Sequence, residues 1–270
     1  MMNEIKITFI GGGNMGEAML SAILKKGLST PQAISVSDIN EARRQYLGHE
    51  YSVAVMSSNR LAVTKGDVVV LAIKPQNLAE VMAELSGQLK STQLVLSIIA
   101  GARINTLRLG LKHSRVVRAM PNMPAQVGEG ISVWTATTEV TEQQREWANS
   151  ILGAMGKVIY VDDEKYIDMA TAVSGSGPAY FFLMVESLVD AAVRIGLPYD
   201  IAQKLVLQTI LGSGRVIQRS GKSPAELRRM VTSPGGTTAE ALSQLEKGGF
   251  HDLVMQAVSA AYDKAKRLGG

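Results

Sequence analysis

The 270-residue chain contains no cysteine, three histidines and only 5% aromatic residues. The absence of cysteine excludes disulfides, thiolate metal ligands and a cysteine nucleophile. His49, His113 and His251 lie far apart and lack the spacing of a histidine metal-binding motif, so we expect no metal site.

The chain also lacks long apolar runs and a concentrated basic stripe. Apolar runs such as 68–73 have strand length and fall short of the roughly 20 residues of a membrane-spanning helix. The first residues show no signal-peptide pattern, so we expect a cytoplasmic protein that does not enter a membrane. The formal net charge is +4, but Lys and Arg are dispersed. A positive net charge can indicate nucleic-acid binding. The dispersed Lys and Arg residues instead favour a solvated basic surface.

The first 160 residues alternate short apolar runs with helical patterns. Runs rich in Val, Ile and Leu are typical of strands buried on both faces, and their alternation with helices predicts an α/β fold with a Rossmann-type, doubly wound, mostly parallel sheet. The predicted strands are 5–10, 33–37, 68–73, 94–99, 115–120, 130–135 and 157–161. The predicted helices are 15–26, 40–47, 77–86, 103–110 and 141–154.

After residue 162 the apolar residues recur at helical spacing, which predicts two domains, 1–162 for dinucleotide binding and an all-helical 163–270. The predicted helices are 165–173, 178–195, 199–219, 223–231, 237–247 and 250–267, separated by Gly-Pro and Gly-Gly breakers. Several are apolar around much of their circumference, which predicts burial by a second subunit. The alternative is one well-filled bundle with small residues at the helix crossings.

A glycine-rich turn, Gly11-Gly12-Gly13-Asn14-Met15-Gly16, joins the first strand to the first helix. This context predicts a dinucleotide site in which Gly11 permits the tight turn, Gly13 admits the pyrophosphate and Gly16 lets helix and strand pack closely. Met15, Met19, Ala22 and Ile23 are expected to face the sheet. The alternative is a tight turn without a ligand.

The second strand ends at Ser37-Asp38, where an acidic side chain can bind the ribose hydroxyls of NAD. A 2′-phosphate beside this carboxylate would be repelled, so Asp38 favours NADH over NADPH. Arg43 and Arg44 lie close enough in sequence to offset that repulsion. Asp38 is alternatively the N-cap of the following helix, and the two roles can coexist.

Further loops follow other strands. Ala72, Ile73, Lys74 and Pro75 come directly after a buried strand, which places Lys74 at the cofactor cleft or, alternatively, on a solvated loop. The segments 97–101 and 118–124 also close strands and belong on the cofactor side.

Two motifs in the helical part have the composition of helix-start turns. The first is Ser174-Gly175-Ser176-Gly177-Pro178, and the second is Ser233-Pro234-Gly235-Gly236-Thr237-Thr238. Free N–H groups at the second turn can hold a carboxylate, while the hydroxyls of Ser176 and Thr238 can bond a neighbouring polar atom. Two purely structural turns are the alternative.

Taken in order, six motifs resemble the pyrroline-5-carboxylate reductase family over the whole chain. They are GGGNMG at 11–16, AIKP at 72–75, AGA at 100–102, RAMPNMPA at 118–125, SGSGPAY at 174–180 and MVTSPGGTTAEAL at 230–242. SGSGPAY and SPGGTT are specific to the family, whereas GGGNMG alone indicates only a nucleotide fold.

The resemblance implies NAD(P)H-dependent reduction of 1-pyrroline-5-carboxylate to L-proline, the last step of proline biosynthesis, by homodimers that often assemble into decamers. It implies cofactor contacts from 11–16, Asn59, 72–75, Ala100 and Gly101. It implies substrate contacts from Ser176, Ser233, Gly235, Gly236, Thr237 and Thr238, with Thr238 and Ser176 as the catalytic candidates. Asp38 departs from the Ser, Asn or Arg that the family frequently places at the end of the second strand.

The expected chemistry fits these residue types. A protonated cyclic imine accepts hydride without a nucleophile, a metal or a strong base, so the protein need only position both reactants. A β-hydroxyacid dehydrogenase is the rival enzyme class, but Lys204 and Lys222 lack that family's neighbouring glycine-asparagine motif. A non-catalytic dinucleotide-binding relative is the second rival, and it would be expected to carry a damaged SPGGTT loop.

Overall fold

The structure is a computed structural model that describes residues 4–269. Its eight-stranded sheet has the order β3-β2-β1-β4-β5-β6-β7-β8, and every neighbouring pair is parallel except β6 and β7. The strands are β1 Ile7–Ile10, β2 Ile34–Ser37, β3 Ala54–Met56, β4 Val68–Leu71, β5 Leu94–Ser97, β6 Val116–Met120, β7 Gly130–Ala136 and β8 Gly156–Tyr160. The prediction of a mostly parallel, doubly wound sheet is confirmed.

Helices cover both faces of this sheet and bury one apolar core on each face. They are α1 Asn14–Lys25, α2 Glu41–Tyr51, α3 Asn59–Val63, α4 Leu78–Leu85, α5 Ile104–Leu111, α6 Glu142–Gly153 and α7 Lys165–Ala170. Helix α1 buries Met19, Ala22 and Ile23 in one core, with Met15 packed at its edge, as the apolar spacing predicts.

Two short elements were missing from the prediction. Strand β3 is a three-residue edge strand, and Ala54 and Val55 are exposed, so it has no buried apolar run to signal it. Helix α3 is only five residues long, too short to show a helical period. Strand β7 runs antiparallel to β6, since a short connection suffices for antiparallel neighbours.

The remaining helices are α8 Gly177–Arg194, α9 Tyr199–Ser220, α10 Pro224–Met230, α11 Thr237–Lys247 and α12 Phe250–Leu268. No strand follows β8 among the residues described up to 269, so the all-helical prediction is confirmed. The predicted break at 174–177 is reduced to a bend at Ser176. Residues Thr171–Gly175 continue α7 as a π-helical turn, and Pro178 lies in the first turn of α8, where a proline needs no hydrogen-bond donor.

The chain divides into two compact units at different residues from the predicted boundary at 162/163. One unit ends at Ser176 and resumes at Ala261, and the other is Gly177–Ala260. Helix α7 belongs to the first unit because Asp168 pairs with Arg118 of β6. The end of α12 belongs there because Leu268 packs on Gly101.

The second unit exposes many large apolar side chains along α8 and α9. Phe181 is 65% exposed, Leu183 63% and Leu207 55%. The helical segment Lys165–Arg194, which runs into this unit, is long and apolar enough to cross a membrane by length and composition, and 17% of its most apolar 18-residue window is buried. So large an apolar surface is typical of an interface.

Candidate functional site

The glycine turn between β1 and α1 has the geometry that its spacing predicts. Gly11 has φ of +96°, and a Cβ there would lie 2.7 Å from the carbonyl oxygen of Ala72. A Cβ on Gly16 would lie 2.7 Å from the carbonyl oxygen of Gly11, so the helix start packs directly on the turn. Gly13 is different, because a Cβ there would meet no atom within 4 Å. The open space above Gly13 is where a pyrophosphate would approach.

The N-terminus of α1 faces that space. Gly13 is the N-cap, it supplies no side-chain hydrogen bond, and the first helical bond runs from Glu17 N–H to Gly13 C=O. Gly13 and Asn14 are exposed. The N–H groups that precede Glu17 have no carbonyl in the helix to bond, which creates an anion site at the positive end of the helix dipole. The described residues therefore fit a dinucleotide phosphate.

Asp38 lies directly after β2 and contacts the glycine turn. Its Oδ2 accepts a hydrogen bond from Gly12 N–H at 2.8 Å, and its Oδ1 accepts one from Asn40 N–H at 2.8 Å. Each oxygen keeps a lone pair for a further donor such as a ribose hydroxyl. The interpretation of Asp38 as the N-cap of α2 is wrong, because Asn40 is the N-cap and accepts from Arg43 N–H.

Both nearby arginines are held by backbone carbonyls. Arg43 donates from Nε to Gly12 C=O and pairs with Glu17. Arg44 donates to the carbonyls of Asp38 and Ile39 at 2.8 and 3.0 Å. These bonds use only part of the five N–H donors of each guanidinium.

Glu17 is the centre of the network that holds Arg43. It accepts hydrogen bonds from Tyr46 and Tyr51 as well as from Arg43. Burial alone would raise the pKa of Glu17, but the bonds from Arg43 and the two tyrosines outweigh it and lower that pKa. Burial and the bond to Glu17 raise the pKa of Tyr51 to about 12. The sequence analysis assigned no role to Glu17 or to these tyrosines.

Two predicted cofactor residues have other contacts. Ser37 is 1% exposed, so its side chain offers a ligand no surface, while its carbonyl accepts from Gly11 N–H at 2.8 Å. Asn59 lies three residues after β3 and donates from Nδ2 to Glu84 at 2.7 Å. Ser37 therefore supports the turn through its backbone, and one amide N–H of Asn59 is bonded to Glu84.

The loops after β4 and β5 lie at the same carboxyl edge as the glycine turn. Ala72 and Ile73 pack against Gly11, while Lys74 and Pro75 are exposed. Gly101 has φ of +76°, and a Cβ there would lie 2.6 Å from the Cβ of Leu268. Gly101 therefore needs to be glycine because Leu268 leaves no room for a side chain. The neighbouring Ala100 is half-buried.

Ser176 comes directly after the π-helical turn. Its N–H donates to Thr171 C=O at 2.8 Å, an i to i−5 bond, and its side chain is half-buried. Such π turns are frequent at functional sites. The neighbouring Ser174 hydroxyl donates to Ala170 C=O at 2.9 Å.

The 233–238 loop forms the start of α11. Gly235 has φ of +70°, and Gly236 N–H donates to Ser233 C=O at 3.1 Å, closing a tight turn. Gly236 is the N-cap without a side-chain bond, so the N–H groups of the first helical turn are unpaired within the helix. Thr237 is exposed and Thr238 half-buried. The binding of a carboxylate at this loop stays a prediction.

Arg118 is a functional candidate to which the sequence analysis gave no individual role. It is 1% exposed in β6 and donates to Glu164 at 2.7 Å and to Asp168 at 2.6 Å. The sequence signal that could have identified Arg118 is its place inside the apolar strand VVRAM. A cation buried in such a strand requires carboxylate partners.

Each half of the chain matches a known protein family. Residues 164–268 match the family described as pyrroline-5-carboxylate reductase dimerisation. Residues 6–101 match the family described as NADP oxidoreductase coenzyme F420-dependent, which covers the glycine turn and β1 to β5.

Full-length relatives and solved structures carry the same name. The chain is 42% identical to a pyrroline-5-carboxylate reductase of Synechocystis over 98% of this chain and 99% of the relative. It is 42% identical to that of Pseudomonas aeruginosa over 99% and 98%. The Coxiella burnetii reductase structure matches with TM-score 0.90 at 38% identity, over 99% of this chain and 100% of that one. The Plasmodium falciparum enzyme, with NADP bound, matches with TM-score 0.91 at 34% identity over all of both chains. The chain therefore belongs to the pyrroline-5-carboxylate reductase family.

Proposed function

We propose that this protein reduces 1-pyrroline-5-carboxylate to L-proline with NADH or NADPH, as the last step of proline biosynthesis. The observation that carries the proposal is the uncapped start of α11 at Gly236, in a chain that matches reductases from end to end. An intact loop of this kind counts against a non-catalytic dinucleotide-binding relative.

The reaction needs positioning more than reactive side chains. A bound reduced nicotinamide would supply the hydride for the imine carbon, with the C=N electron pair passing to the protonated nitrogen. The residues of this chain bind and orient the two reactants, and such orientation by itself accelerates a bimolecular step.

We assign the substrate to the 233–238 loop and Ser176. The free N–H groups of Thr237 and Thr238 would bond the substrate carboxylate at the positive end of the α11 dipole. The Thr238 and Ser176 hydroxyls would bond the ring nitrogen or a neighbouring polar atom, which makes them the catalytic candidates.

We assign the cofactor to the glycine turn, with Gly13 and the start of α1 at the pyrophosphate and Asp38 at the ribose. The Plasmodium falciparum relative binds NADP. In this chain the Asp38 carboxylate lies beside the turn and would repel a 2′-phosphate, so we propose that NADH is used at least as well as NADPH.

We also propose a cytoplasmic homodimer, in which a second subunit covers α8 and α9. The exposed apolar side chains of these helices and the match of 164–268 to a dimerisation family support it. Assembly of dimers into a decamer is an extension of the same proposal.

The test is a spectrophotometric assay of the purified protein with 1-pyrroline-5-carboxylate and each reduced nicotinamide. We expect substrate-dependent oxidation of the nicotinamide and stoichiometric L-proline. A protein that binds the nicotinamide but does not oxidise it in the presence of the imine would favour the alternative of a non-catalytic dinucleotide-binding relative. Turnover of β-hydroxyacids but not of the imine would favour the rival dehydrogenase class.

A further inference from the structure

The strand β6 contacts helix α7 just before the π-helical turn and also Gly175, the last residue of that turn. Arg118 and Met120 are two residues apart and so share one face of the strand, while Val117 and Ala119 point into the core on the other face. Arg118 Nη2 donates to Asp168 Oδ1 at 2.6 Å, just before the turn. The Met120 Cε lies 3.0 Å from the position of a Cβ on Gly175, at the last residue of the turn.

The Arg118–Asp168 ion pair is buried, whereas the Glu164 side chain is 30% exposed. Arg118 is 1% and Asp168 7% exposed, and Glu164 supplies a second carboxylate at 2.7 Å. Desolvation offsets much of the attraction in a buried ion pair, so such a cluster is a weak source of stability. Its directional bonds instead define one relative position of strand and helix.

Glu164 extends the cluster to the cofactor edge of the sheet. The oxygen that accepts from Arg118 also accepts from Ile104 N–H at 2.8 Å, at the start of α5. Helix α5 begins three residues after Gly101. One arginine thus joins the loop that follows β5 to the helix that leads to Ser176.

We propose that Arg118 is a positioning residue that, through Asp168 and Glu164, fixes the π-helical turn and with it the Ser176 hydroxyl. The inference rests on the proposed role of Ser176 in substrate binding. Arg118 does not touch the reactants. It acts on turnover by restricting where Ser176 lies, and its loss should lower kcat while nicotinamide binding is unchanged.

The test replaces Asp168 in the full-length enzyme and follows two readouts. In Asp168→Ala, backbone amides of 172–176 should exchange with deuterium at least about tenfold faster, because the helix before the turn loses its bond to the strand. The value of kcat should fall at least about tenfold, since a misplaced group loses the benefit of orientation. The Kd for the nicotinamide should stay within about twofold of the parent. Asp168→Asn keeps an acceptor for Arg118 and should restore part of both losses.

Glu139→Ala is the matched control, because it removes a carboxylate from an exposed pair with Arg108 at 3.2 Å in the same unit. It should alter neither readout. If Asp168→Ala does not fold, Asp168→Asn takes its place: it should still speed exchange at 172–176 and lower kcat, and no change in either readout overturns the positioning role.

The outcomes separate the two proposals. Unchanged exchange in a folded Asp168→Ala overturns the positioning role. The positioning role is also overturned if Asp168→Ala exchanges faster but keeps the parent kcat, while Ser176→Ala lowers kcat. Faster exchange together with a fully active Ser176→Ala leaves Arg118 holding the turn but removes Ser176 from substrate binding, which is a failure of the proposed function instead.

Discussion

The Asp38 carboxylate accepts a hydrogen bond from the backbone N–H of Gly12 at 2.8 Å. The residue that would bind ribose hydroxyls therefore also holds the turn that would bind the pyrophosphate. Because Arg43 donates to the carbonyl of the same Gly12, the peptide groups of Gly12 are held on both sides.

Replacing Asp38 should change cofactor preference. In Asp38→Ser the ratio of kcat/KM for NADPH to that for NADH should rise about fivefold or more, since repulsion of roughly 1 to 4 kcal/mol from a charge about 4 Å away is removed. Asp38→Asn is the matched variant, because its amide oxygen can still accept from Gly12 while the charge is gone. A parent that prefers NADPH tenfold or more, with a ratio unaltered in both variants, would remove Asp38 from the ribose site.

Thr238→Ala should lower turnover and leave nicotinamide binding unchanged. Loss of one hydrogen bond to the substrate costs about 1 to 3 kcal/mol, or roughly five- to 150-fold in kcat/KM. Thr64→Ala is the control, because this exposed hydroxyl at the end of α3 donates to Leu61 C=O at 2.8 Å and lies outside the proposed substrate loop and dimer interface. If kcat/KM of Thr238→Ala stays within about twofold of the parent, the hydroxyl has no such role.

Gly11 and Gly13 should respond differently to alanine. Gly11→Ala should lower the free energy of unfolding by about 1 to 3 kcal/mol from its positive φ alone, and a clash with Ala72 adds to this. Gly13→Ala should leave stability close to the parent, because nothing lies within 4 Å, and weaken nicotinamide binding. Urea unfolding and dinucleotide titration measure the two effects. Unaltered dinucleotide affinity in Gly13→Ala would contradict a pyrophosphate at this position.

His113 should make stability depend on pH. It is 6% exposed, and burial lowers its pKa below the ordinary 6.5, although its bond to the Gln93 carbonyl opposes the shift. The unfolded chain therefore binds the proton more readily, and the free energy of unfolding should fall as pH decreases from 6.5 toward the folded pKa. His113→Gln should lose this component, whereas replacing the exposed His251 should keep it. Parallel pH profiles for parent and His113→Gln would contradict the prediction.

The apolar surface of α8 and α9 should be the dimer interface. Leu207→Asp should shift the full-length protein toward monomer in sedimentation velocity, because a charge would be buried against the partner. Leu109 is 70% exposed on α5 in the other unit, and Leu109→Asp is the matched control. A Leu207→Asp variant that sediments like the parent would place the interface elsewhere.

The order of strands and helices could be predicted wherever an element buries a long enough apolar face. Strands β1, β4 and β5 are apolar runs buried throughout, and α1 has one apolar stripe. Strand β3 and helix α3 could not be predicted, because three and five residues carry no period. The turns at Gly11 and Gly235 could be predicted, because both residues have positive φ and such a backbone favours glycine locally.

The sequence by itself determined the α/β class, the helical second half, the two uncapped helix starts and the family resemblance, because these depend on local spacing and on order along the chain. Tertiary structure alone decided that Asn40 and not Asp38 caps α2, that Leu268 covers Gly101 and that Arg118 reaches Asp168. Asp38 and Asn40 are two candidates for the same helix start, and the sequence does not choose between them. The other pairs are separated by up to 167 positions, and only the folded chain brings such groups into contact.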